Sequence, residues 1–405
     1  MIEIKEKRDC CGCEACVQIC PKKCISFNED EQGFRYPLVE ESICINCGLC
    51  EKVCPVLNQN EVKRPIKVYA SINPNEEIRS KSSSGGLFTA LAELVIDEGG
   101  VVFGAQFDEK WGVEHAYTET KEGLNAFRGS KYVQSRIGNS YVQVREFLKN
   151  GRKVLFSGTP CQILGLNLFL RNKYESLITI DIVCHGVPSP LVWMAYLHDI
   201  VKFPVGFSEE NNFQKDFANS ITNISFRDKS TGWKKYSFKV RGKEFKDGGN
   251  PQKEDVLLHE LHNKNLFMRI FLKDLCLRPS CANCPAKSGK SGSDITLADY
   301  WGIENSYPEL DDDKGISMVL IHSDEGQKLF AKSKVNSLET SYSDALRGNP
   351  AIENSVNEKL VHIKRFWDIF YAYKFTDIKR YLRILKPNIF QRVVRRLKSV
   401  IKRKQ

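Results

Sequence analysis

Cysteine spacing is the first chemical signal in this 405-residue chain. Two runs repeat one pattern: Cys10-x2-Cys13-x2-Cys16-x3-Cys20-Pro21 and Cys44-x2-Cys47-x2-Cys50-x3-Cys54-Pro55. Three thiolates three residues apart wrap a tight turn round one corner of an iron–sulfur cubane, and turn N–H groups can point at the sulfurs. The fourth cysteine begins the next segment and reaches the other cluster. The spacing predicts two 4Fe–4S clusters, one on Cys10, Cys13, Cys16 and Cys54, the other on Cys44, Cys47, Cys50 and Cys20. The competing reading is a pair of zinc sites, because Cys-x2-Cys serves both chemistries. Two complete runs with a trailing proline favour the clusters. Cys11 and Cys24 fall outside the pattern and read as spare small residues.

This segment resembles two-cluster ferredoxins over about residues 8–58. Such a module is a short wire that passes single electrons and does no bond chemistry itself. The rest of the chain must hold the chemistry or the partner surface.

The elements that follow alternate. Asn58 to Pro65 is polar and reads as a linker. Lys67–Ser71, Val101–Phe107, Lys153–Ser157 and Ile178–Val183 are strand-like, and Leu87–Ile96 and Leu191–Val201 are helical. Strands alternating with helices predict an α/β fold (α+β overall) with mostly parallel strands and ligands at their carboxyl ends. Ser82-Ser83-Ser84-Gly85-Gly86 opens a helix; this is either an anion cradle at a positive dipole end or an ordinary capped start. Gly158-Thr159-Pro160-Cys161 and Cys184-His185-Gly186 sit at two further strand ends. Residues 221–241 alternate as a hairpin turning near Thr231-Gly232, and Lys253–Leu275 has helical periodicity. Cys276-x4-Cys281-x2-Cys284-Pro285 supplies three thiolates that need a fourth ligand, for which Cys161 and Cys184 remain. A third cluster is the favoured reading and zinc the alternative. The expected division is a cluster domain over 1–60, an α/β domain over 66–202, a substrate and cluster domain over 203–340, and a helical region over 341–405.

Five ordered motifs carry a wider resemblance. They are Ser82-Ser-Ser-Gly-Gly-Leu-Phe, Arg128-Gly-Ser-Lys131-Tyr-Val-Gln-Ser, Leu155-Phe-Ser-Gly-Thr-Pro-Cys161-Gln-Ile, Asp181-Ile-Val-Cys184-His185-Gly-Val-Pro-Ser-Pro and Asp294-Ile-Thr-Leu-Ala-Asp299-Tyr-Trp-Gly. Together, from about Lys67 to Ser323, they resemble the family formed by the beta subunits of coenzyme F-420 hydrogenases and dehydrogenases. Its members include subunits of F-420-reducing hydrogenase and formate dehydrogenase, ferredoxin-dependent reductases of chlorophyll intermediates, and proteins found with polysaccharide biosynthesis. The resemblance implies FAD beside an iron–sulfur cluster. FAD accepts single electrons from clusters and passes two as hydride. The resemblance assigns Ser83, Ser84, Gly85 and Gly86 to a pyrophosphate cradle, Lys131 to flavin O2 or phosphate, and Gly158, Thr159 and Pro160 to the ring. His185 is the proton-donor candidate, because histidine is the side chain suited to proton transfer at neutral pH; the alternative is a loop histidine bonded to backbone. The family often has Gly-Asp where this chain has Ala298-Asp299, and the added methyl narrows a pocket.

Composition bounds the rest. No run of about 18 apolar residues exists and the N-terminus has no apolar core, so the expectation is a cytoplasmic chain in a reducing compartment. The formal net charge is +10, from 60 Lys and Arg against 50 Asp and Glu. Eleven of those basic residues and a single acid, Asp377, lie between Thr376 and Gln405. Ile389, Phe390, Val393, Val394, Leu397, Val400 and Ile401 fall within an arc of about 140° on a helical wheel, with basic residues opposite. This reads as an interfacial helix on anionic lipid through residues 388–404, peripheral to the inner membrane face. Alternatives are a docking helix or a nucleic-acid arm, the last disfavoured because no aromatic-basic surface accompanies it. The function expected is electron relay from ferredoxin or another redox protein, through clusters and FAD, to a small-molecule substrate or deazaflavin. The alternatives are an electron-transfer subunit without its own substrate and a membrane scaffold with structural clusters. Deleting residues 376–405 should abolish co-sedimentation with anionic liposomes; equal pelleting of both forms would defeat the membrane reading.

Overall fold

The most apolar runs of the chain become the middle of one sheet. The computed structural model describes residues 1–201, 220–245, 251–372, 378–380 and 382. The basic tail at 388–404 lies outside the described residues. The strands are β1 (Ile25–Glu29), β2 (Arg35–Val39), β3 (Lys67–Ile72), β4 (Val101–Phe107), β5 (Val113–Thr118), β6 (Val154–Gly158) and β7 (Leu177–Ile182). After them come β8 (Ile221–Asp228), β9 (Ser237–Phe245), β10 (Pro251–Leu261), β11 (Ile295–Asp299), β12 (Ser317–Ile321) and β13 (Asn336–Glu339). Eight of them form one sheet in the order β13-β3-β12-β11-β7-β6-β4-β5.

The fold is mixed α/β, but the sheet is less parallel than its sequence suggests. β11–β7, β7–β6 and β6–β4 are parallel, whereas the other four neighbouring pairs are antiparallel. Parallel neighbours need a crossover, usually a helix, whereas β4 and β5 are joined by a short turn and β11 and β12 by a loop without an α-helix. The expected boundary at 202/203 does not divide the sheet either. β11, β12 and β13 hydrogen-bond into the sheet begun by β3, because β3 needs partners on both sides.

Alternate residues of the central strands face opposite layers. Val101, Phe103, Val154, Phe156 and Leu177 pack with helices Ser140–Lys149 and Pro160–Leu170. Val102, Leu155, Ile178 and Ile180 pack with helix Leu87–Asp97. The sheet ends at β13, a strand of only four residues, which leaves little edge for another chain to pair with.

The segment 1–60 is a small ferredoxin-like unit: the hairpin β1–β2 and two short helices, Ala15–Ile19 and Leu49–Lys52. It is seated on the first layer, where Cys11, Cys13, Ala15 and Val53 join the core. The Gln18 amide oxygen accepts from the N–H groups of Tyr141 and Val142, which satisfies two free donors at the start of helix Ser140–Lys149. The predicted linker is tied down as well, by Lys63 N–H on Ser288 O at 3.0 Å and Asn60 Nδ2 on Lys290 O at 2.9 Å.

A separate antiparallel sheet, β10-β9-β8, covers the second half of the chain. The hairpin expected over 221–241 is present as β8 and β9. The helix expected over 253–275 is not. β10 runs through Leu261, paired with β9, and only Leu266–Phe271 is helical. The free edge of β9 offers a full row of hydrogen bonds, and that tertiary gain overrides a weak helical period. Under this sheet lies an aromatic core. Trp193 is fully buried there, 5.0 Å from both Phe226 and Phe267 between ring centroids, with its indole N–H on Trp111 O at 2.7 Å. Among the described residues no helix is long and apolar enough to cross a membrane. Trp193→Ala should cost about 3–5 kcal/mol of stability, read as a lower urea midpoint.

Candidate functional site

The two cysteine runs meet as their spacing predicts. Cys20, Cys44, Cys47 and Cys50 line one pocket, with Cys24 beside them. The Ile2 N–H points at Cys50 Sγ at 3.3 Å, and Cys47 is the exposed member. Cys54 crosses to the other run: Cys13 and Cys16 feel its charge, and Cys54 feels that of Cys10. Burial raises the thiols of Cys13, Cys16 and Cys54, so an ionised set needs cationic metal to hold it. Among the described residues no three His, Cys, Asp or Glu close on a single ion. A zinc site needs its sulfurs all about 2.3 Å from one point, and no described set meets that condition.

A third set forms, and its membership differs from the expectation. Cys281 lies in the field of Cys184, Cys161 and Cys284, and Cys184 in that of Cys161 and Cys284. Burial pushes the Cys184 thiol up to about 12 and that of Cys284 up to about 11. Both strand-end cysteines therefore join the group. Cys276 does not: it is fully buried in the aromatic core, its carbonyl accepting the Ser189 N–H at 2.8 Å. The reason is the loop's path. Pro188 bridges Leu277, which brings Cys281 and Cys284 to the end of β7 and turns Cys276 into the core. Cys11, read as spare, packs in one core cluster with Cys13 and Cys161. The other spare, Cys24, has its sulfur 3.4 Å from that of Cys20.

Beside the third set opens the largest cavity described, with an empty volume of about 1410 Å³ including its mouth. It lies over the carboxyl ends of β6, β7 and β11, where parallel strands leave a crevice. Ser83, Ser84, Gly86, Lys131, Gly158 and Thr159 all line it. The Thr159 hydroxyl lies 3.3 Å from Cys161 Sγ, so the cysteine set and the cavity share a wall. Ser83 Oγ accepts the Ser130 N–H at 2.7 Å, which joins the serine loop to the Lys131 loop. Gly86 adopts φ +84 before helix Leu87–Asp97, whose N-terminal turn faces the cavity. A helix start and a lysine facing one open cavity can hold an anion there.

Three expected residues lie elsewhere. A Cβ at Gly85 would stand 2.5 Å from Ser71 O and 2.7 Å from Ser317 N, so that glycine serves the approach of β3 and β12. Pro160 takes the first position of its helix, which Thr159 caps, and faces a smaller pocket with Asp181 and Cys184. His185 does not line the cavity; the chain turns away after β7, and its Nε2 pairs with Asp274 Oδ1 at 2.6 Å. A histidine the spacing does not reveal stands there instead. His115, on β5, meets Ser157 O through Nε2 at 3.0 Å and Ser135 Oγ through Nδ1 at 2.9 Å. Burial lowers its pKa to about 4, so it is neutral and fixed. Ala298 and Asp299 also line the cavity. Asp299 is held by Arg227 at 2.6 and 3.1 Å and by the Trp233 indole N–H at 2.9 Å.

The profile described as the coenzyme F420 hydrogenase/dehydrogenase beta subunit matches with its N-terminal part over residues 68–140 and its C-terminal part over 151–344. A 4Fe-4S dicluster domain matches residues 9–58. The chain belongs to this family of beta subunits. Its relatives include a subunit of the F(420)H(2) dehydrogenase of Methanosarcina mazei, 22% identical over 44% of this chain and 53% of that protein. Another is the coenzyme F420-dependent sulfite reductase of Methanocaldococcus jannaschii, 27% identical over 48% of this chain and 30% of that protein. The chain thus spans about half, or less, of the length of these relatives. A chain of the F420-reducing [NiFe] hydrogenase complex from Methanosarcina barkeri superposes with a TM-score of 0.45 at 16% identity, over 77% of this chain and 94% of that one.

Lys131 carries the clearest electrostatic consequence in this cavity. Its ammonium lies near the carbonyls of Phe127, Arg128 and Gly129, at 3.3–3.5 Å, and burial lowers its pKa to about 7. The lysine is charged below that pH and loses its charge above it. Affinity for an anionic ligand such as FAD should therefore weaken as pH rises above 7, approaching about tenfold per unit. Lys131→Met should bind more weakly and show a flat profile, as measured by fluorescence titration of the flavin-free protein.

Proposed function

We propose that this chain is an iron–sulfur flavoprotein that moves electrons between a redox protein and a small organic or deazaflavin molecule. The observation that carries this is the continuity of the cysteine sets with the cavity. The Cys20–Cys44–Cys47–Cys50 set reaches the surface at Cys47. The Cys10–Cys13–Cys16–Cys54 set lies deeper, Cys11 and Cys13 pack with Cys161 in one core cluster, and Cys161 touches Thr159 on the cavity wall. Bound FAD would convert single electrons into a hydride pair. The protein's own part is to hold and orient. The serine loop and the adjoining helix start present N–H and hydroxyl groups to an anion. Lys131, poised near neutrality, can supply charge or a proton. Neutral His115 and the Arg227–Asp299 pair are fixed walls. The fold supports Cys161, Cys184, Cys281 and Cys284 as the ligands of a third cluster.

A second reading is a subunit that hands its electrons to a partner enzyme; the relative named as part of a dehydrogenase favours it. Anaerobically purified protein should carry flavin and roughly twelve irons per chain. Cys281→Ala should lose about four of them, whereas Cys276→Ala should lose none. An iron content of roughly eight in the native chain would remove the third cluster, and absence of flavin absorbance would remove the enzyme reading.

A further inference from the structure

Among the described residues three arginines are buried: Arg79, Arg227 and Arg278, at 3%, 7% and 1% exposure. Two have a carboxylate. Arg79 forms a fork on Asp312, and Arg227 a fork on Asp299. Arg278 has none among the described residues. Its Nε donates to Cys10 O at 2.8 Å, Nη1 to Gln134 Oε1 at 3.1 Å, and Nη2 to Arg35 O at 2.9 Å. The remaining contact is Nη2 on Cys10 Sγ at 3.4 Å. The guanidinium lies over the rings of Tyr36 and Phe34, 4.4 and 5.4 Å from their centroids. The ionisable groups that bear on it are Cys10, Tyr36, Cys11 and Cys281. A buried guanidinium cannot shed its proton, and carbonyls and rings do not neutralise it. The anion that completes the site must come from the sulfurs.

The inference rests on the cluster reading and goes beyond it. We propose that Arg278 is the counter-charge of the centre held by Cys10, Cys13, Cys16 and Cys54, and that it raises the reduction potential of that centre above that of the surface set. One-electron reduction adds one negative charge without making or breaking a bond. A cation and its N–H donor fixed on a ligand sulfur stabilise the added charge, the more so away from water. The surface set has a neutral backbone N–H on Cys50 Sγ and an exposed cysteine, and the cations beside it, Lys22 and the Met1 ammonium paired with Glu51, are exposed to water rather than buried. The resulting difference draws electrons inward from Cys47. Arg278 is three residues from Cys281, with its carbonyl accepting the Cys281 N–H at 2.9 Å, so one loop carries both this charge and part of the third set. Arg278 is thus a positioning residue that acts through Cys10.

The test is a reductive titration of the full chain with dithionite as electron donor, followed by paramagnetic resonance, with iron counted on each sample. Arg278→Gln should lower one N-terminal midpoint by at least tenfold in the one-electron equilibrium, which is 59 mV, and leave the other where it was. Arg278→Lys should keep most of the native potential. Full iron with unmoved midpoints in Arg278→Gln would overturn the proposal, and so would equal movement of both centres. If Arg278→Gln loses iron, Arg278→Lys decides. A native potential there supports the charge, and a potential lowered as far as tenfold despite the retained charge overturns it. A native chain without iron would instead sink the cluster reading itself.

Discussion

The close approach of Cys13 to the helix Pro160–Leu170 is the contact on which the rest of the molecule depends. A side-chain carbon at Gly165 would stand 3.1 Å from Cys13 Sγ and from the Tyr141 hydroxyl. Gly165 therefore lets the first cysteine turn sink into the layer beneath the sheet. Once seated, that turn brings Cys11 to Cys161, Cys10 to Arg278, and the Cys11 carbonyl to the Gln134 amide at 3.2 Å. Glu14 and Gln18 then bond to the backbone around the start of helix Ser140–Lys149. The electron-carrying unit is consequently part of the core rather than an appended bead. The predicted linker, bonded to residues 288 and 290, reinforces that attachment.

The same sheet that supports this seat also builds the cavity. β6 and β7 are apolar and central, and their carboxyl ends point at the space where the serine loop and the Lys131 loop close in. Few polar groups in that space are loose. Gln162 receives the Thr159 N–H on its amide oxygen and donates to Ser135 Oγ, which in turn meets His115. A chain of this kind holds backbone and ring in one orientation, because each buried donor left unpaired would be costly. Lys131 is the exception, a half-buried lysine with carbonyls and the Phe107 ring near its ammonium but no carboxylate within bonding distance among the described residues. An anionic cofactor would complete its surroundings in the way the sulfurs complete those of Arg278.

Local sequence was a sound guide where one residue type has few uses. The eight cysteines of the two runs, their exchange of fourth members and the strand–turn–helix units were legible, because spacing and apolar runs act over a few residues. The serine loop and Lys131 were legible only through a motif set taken as a whole. His115 was not, because a histidine on an alternating strand looks like any other until the sheet turns it inward. Cys276 and His185 misled for the complementary reason. Each stands in a plausible motif, but the Pro188–Leu277 bridge turns that segment and carries one into the core and the other to Asp274.

The sequence by itself determined the chemistry available: thiolates at cluster spacing, glycine and serine at strand ends, and a charge excess confined to the last thirty or so residues. Those are covalent and short-range properties, and they survive any fold. Tertiary structure alone decided which cysteines form the third set, which cations lack carboxylates, and how the sheet mixes strand directions. These depend on contacts between residues as far apart as Cys10 and Arg278. No local pattern encodes such a pairing, because it becomes favourable only when burial has removed water from both partners.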